Sequence, residues 1–189
     1  DPGALHELAR LCDQVADWPR AIELRQRAAA ATDDRRLQAE LFLEIGRIED
    51  EQRKDEAAAL AAFARAAAVD ERNTEALRAE AVVHRRARRT DRLMATLEQE
   101  LVRGVEPSRR LAADLELARL REEAGDVDGA LAATLDALSV EPDHATALAG
   151  LERVARAQGR WAALATGLRA ATPTPGADGL QQSLGLTGG

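Results

Sequence analysis

Residues 125–133 read GDVDGALAA, residues 16–24 read ADWPRAIEL, and residues 159–167 read GRWAALATG. Each is a polar turn that leads into an alanine-rich apolar pattern. DEAAALAAF (55–63) and RTDRLMATL (89–97) are weaker copies. Taking Ala21, Ala59, Leu93, Ala130 and Leu164 as the anchors of the second helix in each copy gives spacings of 38, 34, 37 and 34 residues. A period of roughly 20–50 residues is the signature of stacked hairpins, each too small to bury its apolar face alone. Adjacent spacings pair to 72, 71 and 71, and VDERNTEAL (69–77) aligns with VEPDHATAL (140–148) at an offset of 71. The larger repeating unit therefore reads as two hairpins.

The composition supports helices everywhere. Of 189 residues, 46% are apolar but only 2% aromatic, and tyrosine is absent. Alanine, leucine, glutamate and arginine dominate, all strong helix formers. The net charge of -7 argues against general nucleic-acid binding. No apolar run reaches the length needed to span a bilayer, and the reading is a cytoplasmic protein, with the periplasm also compatible. Lys54 is the only lysine among 26 basic residues, an arginine skew that fits a GC-rich bacterial genome. Cys12 is alone, so neither an intrachain disulfide nor a cysteine zinc site is expected. It reads as a core thiol.

These motifs resemble the tetratricopeptide repeat (TPR), and in particular long bacterial TPR arrays of the kind found in myxobacteria. The family's helix-turn-helix unit carries a large-small pair in the first helix, glycine at the turn, and alanines in the second helix. The fourth copy matches best, with Leu117-Ala118, Gly125, Ala130, Ala137 and Pro142. The fifth has Leu148, Leu151, Gly159 and Trp161. The first has Leu8-Ala9, Trp18, Ala21 and Ala28 but no turn glycine. The second has Ile45-Gly46, Ala59, Phe63 and Ala66. The third is degenerate, with Arg88 where the glycine stands elsewhere. The resemblance implies an all-α, right-handed superhelical solenoid of about five hairpins over 1–171, divided near 1–34, 35–73, 74–107, 108–144 and 145–171. A Pro/Gly-rich tail follows at 172–189. Both tryptophans read as packing residues.

No catalytic constellation is visible. His6, His84 and His144 fall in separate repeats, and there is no phosphate loop, nucleophile elbow or metal motif. The expectation is a non-enzyme with no cofactor and no metal. Arg10, Arg47, Arg119 and Arg153 share one position in the first helices, facing the groove. Such a ladder suits bidentate recognition of a partner's carboxylates. Against that stand local ion pairs: Asp13 for Arg10, Asp50 and Glu51 for Arg47, Glu122 and Glu123 for Arg119. Only Arg153 lacks an acid at i+3 or i+4. The basic run HRRARRTDR (84–92) adds Arg85 and Arg86, at a helix end where cations favour the dipole. Arg78 and Arg156 complete the candidate set. The carboxylate clamp of chaperone-binding family members uses Asn and Lys, which are missing here.

The ends are the other candidates. The face of the first helix beside Leu5 and Leu8 has no partner in sequence, and the chain does not open on methionine, so an earlier hairpin or a partner is expected there. Asp1 and Pro2 read as a helix start. At the other end Leu164 and Leu168 need a cover, which Leu180, Leu184 and Leu186 of the tail or a neighbouring subunit can supply. SLGLTGG bears a likeness to the cargo-loading peptides of encapsulin nanocompartments. The reading is a protein-binding scaffold within a larger assembly, its partner a protein or peptide, an acidic one being among the candidates, and with self-association through its ends. The alternatives are a tail-targeted cargo or adaptor protein, and a regulatory segment of a signalling enzyme.

Overall fold

The structure is a computed structural model, and it describes residues 1–158. Nine helices and no strand occur among the described residues: α1 Pro2–Gln14, α2 Trp18–Ala30, α3 Arg35–Ile48, α4 Glu56–Val69, α5 Thr74–Arg86, α6 Thr90–Arg103, α7 Pro107–Glu123, α8 Val127–Val140 and α9 Ala145–Gln158. A π-helical turn, Glu49–Arg53, extends α3. The helices pair as hairpins, α1 with α2, α3 with α4, α5 with α6 and α7 with α8. Each of α2, α4 and α8 also packs on the next hairpin's first helix. The chain forms two compact units, Asp1–Val105 and Glu106–Gly189.

One device makes the four hairpin turns among the described residues. Ala16, Lys54, Arg88 and Gly125 all have positive φ, between 54° and 80°. The next residue caps the second helix: Asp17, Asp55 and Asp126 each accept a hydrogen bond from a backbone N–H three residues on. Arg89 holds that place in the third hairpin and makes no cap bond. The turn glycine of the sequence motif is thus optional, because the helix on either side holds the left-handed residue in place. The anchor alanine or leucine follows five residues after the turn residue and is buried in all four cases.

The alternation of repeat lengths has a physical origin. α7 has 17 residues and α5 has 13, so α7 carries about one extra turn. α3 with its π turn, from Arg35 to Arg53, is longer still. The π turn absorbs one further residue. The turn closes from the cap N–H to a carbonyl five residues back in Asp17→Cys12, Arg89→His84 and Asp126→Arg121, but six back in Asp55→Glu49.

Small residues set the helix crossings. Gly46 of α3 lies so close to Phe63 of α4 that a Cβ there would stand 2.3 Å from the ring. Ala9, Ala81 and Ala118 hold the same place before the other turns. The core of the first unit runs through Ala21, Ala28, Leu41, Ile45, Phe63, Ala66 and Leu77, with Trp18 and Cys12 half-buried against it. Leu131, Leu138, Leu151 and Val154 form a core in the second. Asp1 caps α1 by accepting from the Gly3 N–H, and Pro2 is its first residue. Trp161, Leu164, Leu168 and the tail, with Leu180, Leu184 and Leu186, lie outside the described residues.

Candidate functional site: two grooves between successive first helices

Arg10, Arg47 and Arg119 occupy one register, six residues before the turn residue, or seven where the π turn adds one, and Arg153 is the ladder arginine of α9. Val82 holds that register in α5. All five side chains are exposed. In the first unit Arg47 of α3 and Val82 of α5 flank a cavity of about 340 Å³, floored by Phe63 and edged by Asp50, Glu75 and Arg78. In the second unit Arg119 of α7 and Arg153 of α9 flank one of about 360 Å³, with Leu115, Thr134 and Gly150 in its wall. The two grooves are the same feature built twice, since Arg47 and Arg119 are 72 residues apart.

Arg10 and Arg47 do not use the partners their spacing suggests, whereas Arg119 does. Asp13 does not serve Arg10; it accepts two bonds from Arg25 of α2 (2.5 and 3.1 Å), and Arg10 pairs with Glu7 at 3.2 Å. Arg47 reaches across to Glu75 on α5, leaving Asp50 to Arg86. Arg153, without a local acid, takes Glu122 of α7 in a bidentate pair at 2.6 and 2.7 Å. Arg10, with Glu7, Arg119, with Glu123, and Arg156, with Glu152, have partners on their own helix. The reason is geometric: successive first helices lie side by side, so an acid on the neighbouring helix can align with a guanidinium better than one four residues away.

Electrostatics follow from these pairs. The Arg86 guanidinium bonded to Asp50 holds that carboxyl below its ordinary range, and Arg153 does the same to Glu122. Both arginines are raised in turn by the same bonds. Arg78 lies over Glu100, a wholly buried acid of α6, at 2.9 Å. Within the basic run His84 is buried against Glu80 (3.2 Å) and Arg89 pairs with Glu56, while Arg85 is exposed on α5. The run is therefore stitched to the preceding hairpin by Arg86 and Arg89. Arg10 lies on α1, outside both grooves.

Sequence reading missed two buried polar features. Arg25 is nearly inaccessible and links α1, α2 and α3 through Asp13 and Glu44, the latter shared with His6 at 3.1 Å. Burial works against its charge, but the bonds to Asp13 and Glu44 outweigh that and raise its pKa. Asp114 of α7 is 2% exposed. It stands where the other first helices carry Leu5, Phe42, Leu77 and Leu148. Burial, then the charge of Asp136, pushes it up to about 6. Its Oδ2 has no hydrogen bond, the Arg110 Nε being 3.6 Å away. An acid at an apolar register is the signal that betrays it. Among the described residues no group of acids, histidines and cysteine could hold a metal ion, and no helix is long and apolar enough to cross a membrane.

Hairpins in series, crossing at small residues and turning through one left-handed residue, define an all-α repeat fold of the tetratricopeptide type. Among solved structures the chain is similar to MamA, with a TM-score of 0.55 and 13% identity over 100% of this chain and 96% of that one. A second MamA structure gives 0.53 and 14%, over 93% and 96%. BtubC from P. vanneervenii gives 0.51 and 17%, over 90% and 82%. At these identities the likeness is one of fold. No protein-family model matches the chain, and no curated protein matches it.

Proposed function

We propose that the chain is a non-catalytic scaffold that binds a protein partner, an acidic segment being favoured, in the grooves between successive first helices. The observation behind this reading is the repeated exposed arginine, Arg47 in one groove and Arg119 in the other. Their present partners are weak competitors. Arg47–Glu75 and Arg119–Glu123 are pairs between largely exposed side chains, 47%/58% and 57%/58% accessible, and such pairs contribute about 0–1 kcal/mol. A partner carboxylate whose neighbours also bury apolar surface against Val82 or Leu115 can displace them. Arg78 and Arg153, tied to a buried acid and to a bidentate carboxylate, are better suited to shape the groove walls than to exchange.

The test is an immobilised set of matched acidic, neutral and basic peptides probed with the purified chain. The expected result is selective retention of acidic peptides, weakened about tenfold or more by R47A/R119A. Preferential capture of basic or neutral peptides, or indifference to the double substitution, refutes the acidic-groove reading.

A further inference from the structure

α1 has two apolar faces. Leu5, Ala9 and Cys12 point into the first hairpin. Ala4, Leu8, Leu11 and Val15 point outward, and among the described residues Leu8, Leu11 and Val15 are three of the five exposed large hydrophobics, at 46%, 56% and 76%. Elsewhere this face is covered. The counterparts of Ala4, Leu8 and Leu11 are Leu41, Ile45 and Ile48 in α3, which packs on α2, and Ala147, Leu151 and Val154 in α9, which packs on α8. All six are buried, Leu151 and Leu41 completely. The face is built to be covered in this architecture and stands open on α1.

We infer that this face pairs with the same face of a second copy of the chain, α1 against α1 in antiparallel sense about a twofold axis. Three observations favour that occupant. First, the second helices α2, α4 and α8 already have their receiving faces covered by α3, α5 and α9, so of the described second helices only α6 offers α1 an alternative seat. Second, Ala4, Leu8, Leu11 and Val15 are spaced 4, 3 and 4 residues apart, the spacing of a two-helix seam. Antiparallel pairing places Leu8 against the other copy's Leu11 and Ala4 against its Val15, large against large and small against large. Third, the flank of the seam is self-complementary in charge. Glu7 and Arg10 are both largely exposed, and the axis, falling between residues 9 and 10, brings each within reach of its opposite on the other copy. An isologous contact of this kind closes at two copies. A 13-residue helix is about 20 Å long, so the contact is small and the dimer is weak and concentration-dependent.

The groove reading above plays no part in this, and the tests separate them. Sedimentation equilibrium of the full chain from micromolar to millimolar concentration is expected to show a monomer–dimer equilibrium. L8E/L11E abolishes it with helicity unchanged, while R47A/R119A leaves it intact. Because a glutamate pair also adds charge, a second set controls for that: E7R alone and R10E alone each weaken association, and E7R/R10E restores it. Orientation is read by oxidation in a C12S background. An equimolar mixture of A4C and V15C chains gives mainly the 4–15 cross-link. A chain that stays monomeric throughout overturns the inference. So do a dimer indifferent to L8E/L11E, failure of the charge swap to restore pairing, and dominance of 4–4 and 15–15 products.

Discussion

Replacing Gly46 with alanine is a sharp test of the packing argument, because two effects of known size oppose each other. In the interior of α3, alanine is favoured over glycine by about 1 kcal/mol through backbone entropy alone. Any helix interior without a close neighbour is therefore stabilised by Gly→Ala. At Gly46 the new Cβ stands 2.3 Å from Phe63 Cε1 and 2.4 Å from Cδ1. Ordinary contacts lie at roughly 3.5–4 Å, so the ring must withdraw by more than about 1 Å. Phe63 is 2% exposed and belongs to the buried core of the first unit. Overpacking of this kind costs about 1–3 kcal/mol, and the net expectation is destabilisation by up to about 2 kcal/mol. Urea unfolding followed by far-UV circular dichroism measures it. The companion variant G46A/F63L makes room for the methyl group, so the two substitutions are expected to couple favourably by about 1 kcal/mol or more. G129A is the control. Its Cβ meets Asp126 Oδ2 at 2.1 Å, but that is the end of a side chain at the exposed start of α8, and the cap can re-form. A G46A protein as stable as the parent, or strictly additive double-mutant energies, would refute the claim that Gly46 is required for the α3–α4 approach.

The turn residues give opposite signs in one motif: Lys54→Gly is expected to stabilise by up to about 1 kcal/mol and Gly125→Ala to destabilise by about 1 kcal/mol, since a Cβ in the left-handed region is strained. Thermal melts of both variants decide it. Arg25→Ala leaves Asp13 and Glu44 facing each other without their shared cation. Both acids are partly exposed, which moderates the loss to about 2–3 kcal/mol, below the range of fully buried pairs. Asp114 makes stability fall as pH rises. Its carboxyl is raised from 3.8 to about 6 in the folded state, so its contribution is full below pH 3.8 and is lost through pH 6, by at most about 3 kcal/mol. Asp50 and Glu122, both lowered, act in the opposite sense, stabilising above their unfolded values and losing that below them. The parent must therefore be compared with D114N, whose advantage over the parent is expected to grow between pH 4 and pH 7; an unchanging difference defeats the assignment.

Much of this molecule was legible in its sequence because repetition multiplies weak signals. Four of the five copies of a polar turn before an alanine-rich run located second helices, α2, α4, α6 and α8, and the large-small pairs Leu8-Ala9, Ile45-Gly46 and Leu117-Ala118 located the crossings. The shared register of Arg10, Arg47, Arg119 and Arg153 was also visible, since register is a property of counting. These are local or periodic features, and a helix transmits them faithfully at 3.6 residues per turn. What counting could not supply was anything fixed by the approach of two helices. Glu75 and Glu122 became the partners of Arg47 and Arg153 because adjacent first helices align, not because of spacing along the chain. Arg25 and Asp114 were buried by neighbours remote in sequence. Whether the outer leucines of α1 end up covered is decided the same way. Ile45 and Leu8 are interchangeable as residues, and only the helix that packs beside one and not the other makes the first a core residue and the second an exposed one.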